Sequence, residues 1–148
     1  MTEIEPERTY ALRDTARHAI EENFRVESFR ALLSACNEAP LAPTVYSLLG
    51  ELLLQSHASY SRIGLGSIGT DDLVNLVQSS MLLDEFYGAK ITGGGSGGTV
   101  CVMGKASSES AVLAICDAYQ EKNGHRPYVF RGSSPGAMSF GHMKIRLQ

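Results

Sequence analysis

The sequence has no tryptophan, only three cysteines in 148 residues, and no excess of basic charge. The cysteines, Cys36, Cys101 and Cys116, are odd in number and far apart, which fits neither a zinc-ligand spacing nor a disulfide framework. They are expected to act as small buried apolar groups in a reducing compartment. Thirteen Lys and Arg stand against sixteen Asp and Glu, a formal charge of −3. With a pI near 5.8 and no basic run interleaved with aromatics, nucleic acid and anionic membrane surfaces are excluded as general partners. No apolar run approaches the roughly 18 residues of a membrane span. The opening MTEIEPERTY lacks a basic-then-apolar leader pattern. The expected location is cytoplasmic.

What is present suits one folded domain over residues 1–148. Apolar residues make up 43% and charged residues 20%, ordinary proportions for a globular chain. At this length roughly 68–70% of the unfolded surface can be buried, so a core needs no covalent staples.

The first third has helical periodicity. Leu12, Ala16, Ala19, Ile20 and Phe24 recur at three- and four-residue steps. Phe29, Leu32, Leu33 and Cys36 continue on a shifted phase, which predicts a bend or restart near Val26. A second helix is expected from Pro43 to about His57, with the stripe Val45, Leu48, Leu49, Leu52, Leu53 and Ser56. After a turn-rich stretch over 61–69, Thr70 is placed to cap a third helix carrying Leu73, Leu76, Val77 and Ser80 or Met81. Asp71 and Asp72 then fall in its first turn, where the helix dipole favours anions. The second half reads as β-rich. Strands are expected over 88–92 and 99–103, then a helix capped by Ser107 or Ser108 and stopped at Asn123-Gly124. Two closing strands are expected over 126–131 and 142–147, joined by a turn through Gly132, Ser133, Ser134, Pro135 and Gly136. The fold class is α+β: N-terminal helices, then a mainly antiparallel sheet with helices on one face.

Between the two central strands lies KITGGGSGGTV, residues 90–100, in which five of six consecutive residues are glycine. As a bare pattern, Gly93, Gly95 and Gly98 satisfy a dinucleotide fingerprint, and Asp117 lies near the position of a ribose-binding acid. That fingerprint must lead from a strand into a helix, whereas Gly98 leads into Thr99–Met103, and Asp117 falls within a helix. A Walker loop also fails. Gly98 to Gly104-Lys105 is one residue too long, and Ala106 stands where a hydroxyl should be. The physics survives the loss of both patterns. Consecutive glycines can alternate the sign of φ and turn several N–H groups into a nest for anions. Lys90 stands three residues upstream of Gly93 as a possible cationic point. The plain alternative is a ligand-free loop, glycine-rich because another backbone packs against it.

The segment GAKITGGGSGGTVCVMG, residues 88–104, resembles the third conserved motif of the GHMP sugar-kinase superfamily, which includes galactokinases, homoserine kinases and mevalonate kinases. RHAIEENFRVESFRALL (17–33), GELLLQSHASYS (50–61), GLGSIGTDDLVNLVQ (64–78) and FRGSSPGAMSFGHMKIR (130–146) resemble, in order, the galactokinase-like module of L-arabinokinases. The resemblance implies the C-terminal lobe of a two-lobe kinase, with Lys90, Thr92, Gly93, Gly94, Gly95, Ser96, Gly97 and Gly98 beside the nucleotide phosphates. For the complete enzyme it implies ATP and Mg2+ as cofactors and a monosaccharide whose anomeric hydroxyl is phosphorylated. The family's first lobe carries a sugar-binding motif, a phosphate loop, an aspartate base and an arginine. None can be located here. Gly64–Gly69 only echoes that phosphate loop, with Tyr60 in place of its proline and Ile68-Gly69 in place of its serine and small residue.

No catalytic residue and no metal ligand is therefore assigned within this chain. His57, in a Ser56-His57 pair that the resemblance shares, is read as a structural histidine, with an acid–base role as the alternative. His18, His125 and His142 have no carboxylate or cysteine at ligand spacing. Asp71 and Asp72 are read as helix-start charges, with magnesium ligation as the alternative. The turn in this chain carries Ile68 where the family has a polar or acidic residue. Ser133 and Ser134 either approach the site or form a plain turn. Cys101 lies mid-strand with no histidine placed to activate it. Two readings follow. In one, the chain is a kinase lobe that pairs with an N-terminal lobe in cis or trans, as a fragment or a separately encoded half, and is not competent alone. In the other, it is a stand-alone, non-catalytic ligand- or protein-binding module that self-associates or finds a partner through the face the first lobe would cover.

Overall fold

A computed structural model describes residues 4–35, 42–80, 84–133, 135–136, 139, 141–142 and 144–146. Six elements follow in order: α1 (Leu12–Ser34), α2 (Pro43–Arg62), α3 (Ile68–Ser80), β1 (Phe86–Ile91), β2 (Val100–Gly104) and α4 (Glu109–Asn123). Helices packed on an antiparallel β-pair make this an α+β domain, as the sequence pattern predicts.

Local chemistry accounts for most boundaries. Pro43 opens α2 at a position where its missing N–H costs nothing. Gly64, at φ +81°, follows the end of α2 in the left-handed region that side chains avoid. Gly124 closes α4 in the same way, its N–H donating to the Gln120 carbonyl at 2.8 Å. The cap of α3 is Ser67 rather than Thr70. The two residues exchange bonds: Ser67 Oγ accepts from the Thr70 amide at 3.4 Å, and Thr70 Oγ1 accepts from the Ser67 amide at 3.3 Å. This is a capping box in which threonine replaces the usual glutamate.

β1 and β2 pair antiparallel, with Gly88 opposite Met103, Lys90 opposite Cys101 and Ile91 opposite Val100, and the register shifts between Phe86 and Gly88. α2 and α3 both pack on β1, and α4 packs on α3. Val74 and Val77 of α3, Phe86 and Ala89 of β1, and Ile115 of α4 form the core. Leu49 and Ile91 are fully buried as well. Each such aliphatic side chain contributes about 1.5–3 kcal/mol. α2 can lie so close to β1 because the crossing is glycine on glycine. A Cβ on Gly50 would stand 1.8 Å from the Tyr87 carbonyl oxygen, and one on Gly88 would stand 2.3 Å from that of Gly50.

Two further expectations are corrected. Of the bend or restart expected near Val26, the restart does not occur, because α1 is a single helix from Leu12 to Ser34. It is supported along its length by pairs such as Arg17–Glu21 at 2.5 Å and Arg25–Glu22 at 2.8 Å. The apolar stripe of α1 does not face the core. Leu12, Ile20 and Phe24 are 76%, 73% and 70% exposed. The face turned to α2 carries His18, Glu22 and Arg25, because α2 offers Ser56 and Ser59 there as polar partners. Finally, residues 126–131 form no strand, nor do the described residues of 142–147. A strand needs a ladder partner. The outer edge of β1 is already closed by α2, and Tyr128 and Phe130 stack on each other edge to face with their side chains exposed. Gly132 and Gly136 have positive φ, 75° and 88°. Cys36, Met81, Ser134 and Leu147 lie outside the described residues.

Candidate functional site

The glycine loop joins β1 to β2 at the turn end of the hairpin, between Ile91 and Val100. Its base is clamped by Thr92, whose amide and hydroxyl both donate to the Thr99 carbonyl, at 2.9 and 3.1 Å. Gly93, Gly95, Ser96, Gly97 and Gly98 all have positive φ, from 63° to 113°. A run of this kind is closed to residues with side chains, which explains the composition. Ser96 is the exception at φ 63°, and its amide donates to the Leu65 carbonyl at 2.6 Å. That bond, and the hydroxyl of Tyr60 on the Gly93 carbonyl at 3.4 Å, dock the loop on the turn after α2. Gly95 makes the closest approach, since a Cβ there would stand 2.6 Å from both Cβ and O of Leu65.

Part of the glycine content thus serves close packing, the plain alternative raised by the sequence. The rest is free to do chemistry. Among the described residues, the amides of Gly93, Gly94, Gly97 and Gly98 have no backbone partner, and Gly93, Gly94 and Gly98 are exposed. Gly97 lies beside Ser67, the cap of α3. The positive end of the α3 dipole therefore stands next to these amides, where it favours an anion. Nothing in the local sequence pattern of 90–100 signals this neighbour.

Lys90 points away from the loop tip. Its Nζ reaches Glu22 on α1 at 3.4 Å and stands 5.1 Å from the centre of the Tyr60 ring. Glu22 gathers Lys90, Arg25 and the hydroxyl of Ser56 around one carboxylate. Its burial works to raise the pKa, but the hydrogen bonds from Ser56 and Arg25 and the charges of Lys90 and Arg25 prevail and hold it below the usual carboxylate value. Glu22 carries no mark in the sequence. It lies 68 residues from Lys90.

His57 is a strut. Its Nδ1 accepts the amide of Ile91 at 3.3 Å, and its Nε2 stands 3.1 Å from Asp71 Oδ1. Asp71 also accepts from Ser61 Oγ at 2.9 Å. Burial pushes the imidazole pKa down and Lys90 adds to this, outweighing the pull of Asp71 upward. The arrangement ties α2, β1 and α3 together just below the loop, as a structural histidine would. Asp72 is paired with Lys122 at 2.7 Å, which holds its pKa low against its desolvation. Asp117 pairs with Arg126. Cys116 is buried and Cys101 half-buried. Among the described residues, no group of three His, Cys, Asp or Glu is placed to hold a metal ion, and no helix is long and apolar enough to cross a membrane.

Comparison with known proteins places this geometry. Residues 16–122 match the family model described as GHMP kinases C terminal. The chain is 49% identical over 155 aligned residues to an L-arabinokinase of Arabidopsis thaliana, covering 99% of this chain and 14% of that protein. It is 31% identical to a galactokinase of Streptomyces lividans, covering 84% of this chain and 30% of the relative. A galactokinase of Pasteurella multocida (strain Pm70) is 34% identical, with 84% and 29% covered. The chain therefore spans less than a third of the length of these relatives. The hairpin, its glycine loop and the helices that brace it all lie inside the matched region, and the chain belongs to the GHMP kinase C-terminal domain family.

Proposed function

We propose that this chain is the phosphate-proximal C-terminal lobe of an ATP-dependent sugar 1-kinase of the galactokinase and L-arabinokinase type, acting in the cytoplasm. The observation that carries the reading is the set of unpartnered amides at Gly93, Gly94, Gly97 and Gly98 beside the start of α3. Each can donate to a charged oxygen, a bond worth about 1.5–3 kcal/mol. The loop fits a nucleotide phosphate, with Thr92 fixing its base and Ser96 fixing its tip against Leu65. When bound, ATP with Mg2+ supplies the phosphoryl group and neutralises its charge. Asp71 and Asp72 are committed to His57, Ser61 and Lys122, so the metal's ligands are assigned to the nucleotide and to an N-terminal lobe. That lobe, in cis or trans, would also bring the base and the sugar site, and without it this chain would not transfer phosphate. The exposed apolar stripe of α1 suits a covering partner. It equally supports the second reading, a free-standing non-catalytic module that self-associates.

The test is reconstitution. The chain is mixed with the N-terminal lobe of a related sugar kinase, and ATP-dependent phosphorylation of L-arabinose and D-galactose is measured. Activity from the mixture and from neither part alone is expected. A folded, associated pair with no activity would refute the kinase-lobe reading, and light scattering on the chain alone would then decide whether it self-associates.

A further inference from the structure

α1 and α2 run antiparallel, with His18 against Ser59 and Glu22 against Ser56. Beside this seam lies a cleft of about 400 Å3. Three arginines line it, Arg17, Arg25 and Arg62, with one carboxylate, Glu21. Glu21 is shared between Arg17, at 2.5 Å, and Arg25, at 3.4 Å. Arg25 is the notable member, because its side chain is only 8% exposed. Its Nε is taken by Glu22 and its Nη1 by Glu21, but its Nη2 is buried and has no hydrogen-bond partner among the described residues. The Arg62 side chain forms no ion pair or hydrogen bond among the described residues. The cleft thus gathers more guanidinium charge than its carboxylate can compensate. Phe24 and Leu52 supply an apolar wall.

We propose that this cleft is an anion site that takes the phosphate group of a small organic phosphate, with the organic part against Phe24 and Leu52. Guanidinium forks match phosphate oxygens in pairs, and arginine is less strongly hydrated than lysine, so it gives up water more readily on binding. The volume falls within the range of small-molecule sites and exceeds what a bare ion fills. No residue of the glycine loop lines the cleft. The arginines of the cleft are separate from the phosphate contacts proposed for that loop, so different substitutions test the two readings.

The experiment is a titration of the folded chain with phenyl phosphate and, separately, with inorganic phosphate, at ionic strength held constant with sodium chloride and followed by amide NMR. Saturable binding of phenyl phosphate is expected, with shifts centred on residues around Phe24 and Leu52 and a weaker response to inorganic phosphate. Arg17 and Arg62 are exposed, so the double variant Arg17→Ala/Arg62→Ala should keep its fold. It should lose about ten-fold or more in affinity, while the control Lys105→Ala stays within about two-fold. No saturable binding by wild-type protein with a folded spectrum would overturn the proposal. So would equal binding by the double variant, or shifts confined to the glycine loop. Equal affinity for the two probes would remove the organic part of the assignment.

Discussion

His57 on α2 accepts the backbone amide of Ile91 on β1 through Nδ1 at 3.3 Å, closing the outer edge of the hairpin with a side chain instead of a strand. The bond requires a neutral Nδ1. Protonation would set an N–H against an N–H inside the domain.

This gives a pH prediction with a definite sign. The folded-state pKa of His57 is lowered from 6.5, chiefly by burial. The unfolded chain therefore binds the proton first, and stability falls as pH drops below the unfolded value toward the lower folded one. Above that window the contribution is complete. Urea unfolding of the wild type is expected to show a loss that sets in as pH falls through 6.5 and continues toward the lower folded-state value. His57→Gln offers an acceptor to Ile91 without titrating, and should flatten that part of the profile. An unchanged slope would place the titration on other groups.

The glycines of the loop should not be equivalent. Gly93 and Gly95 both have positive φ, but nothing lies within 4 Å of a Cβ at Gly93, whereas one at Gly95 would strike Leu65 at 2.6 Å. Gly93→Ala meets backbone strain alone, about 1–2 kcal/mol. Gly95→Ala meets the same strain plus a collision with backbone, and is expected to cost roughly 1–3 kcal/mol more. It should also release the Ser96–Leu65 bond, visible as faster exchange of the Ser96 amide. Denaturant unfolding of the two variants checks the order.

These positions show where sequence reading succeeds. The loop, its flanking strands and the terminators at Pro43 and Gly124 were legible because each follows from a local backbone rule: positive φ, a fixed φ, a missing donor. The role of Thr70 was misplaced by one turn, since serine and threonine at 67 and 70 satisfy the same capping chemistry and only tertiary position separates them. Which face of α1 turns inward is not legible for a different reason. Periodicity identifies two faces of a helix but not which one is turned inward, and here Ser56 and Ser59 on α2 select the polar face. Residues 126–131 alternate like a strand, but alternation does not supply a ladder partner. Glu22 was invisible because its partners, Arg25, Ser56 and Lys90, meet only after three elements have packed.

The Glu22–Lys90 pair can be measured directly. Their side chains are 17% and 21% exposed, and Lys90 has only this carboxylate within ion-pair distance among the described residues. A double-mutant cycle of Glu22→Gln and Lys90→Met should return a coupling of about 1 kcal/mol. Glu22→Gln alone should cost more than Lys90→Met alone, since it also weakens the hold on Arg25. Because the Glu22 pKa is lowered from 4.5, its contribution is complete above that value and disappears as pH falls through the lower folded-state pKa. A coupling near zero at neutral pH would reduce the pair to a surface contact.

The inversion of α1 makes the sharpest test of the fold. If Leu12, Ile20 and Phe24 formed core, Ile20→Ser would cost several kcal/mol, as a buried truncation does. With Ile20 73% exposed, the change removes little buried area, and serine and isoleucine differ little in helix propensity. The expected effect is within about 0.5 kcal/mol. Leu49→Ala, at a residue with no exposed surface, should cost about 2–5 kcal/mol. Both variants are compared by urea unfolding of dilute protein, where self-association does not contribute. A large loss in Ile20→Ser under those conditions would mean that the apolar face of α1 packs inward after all.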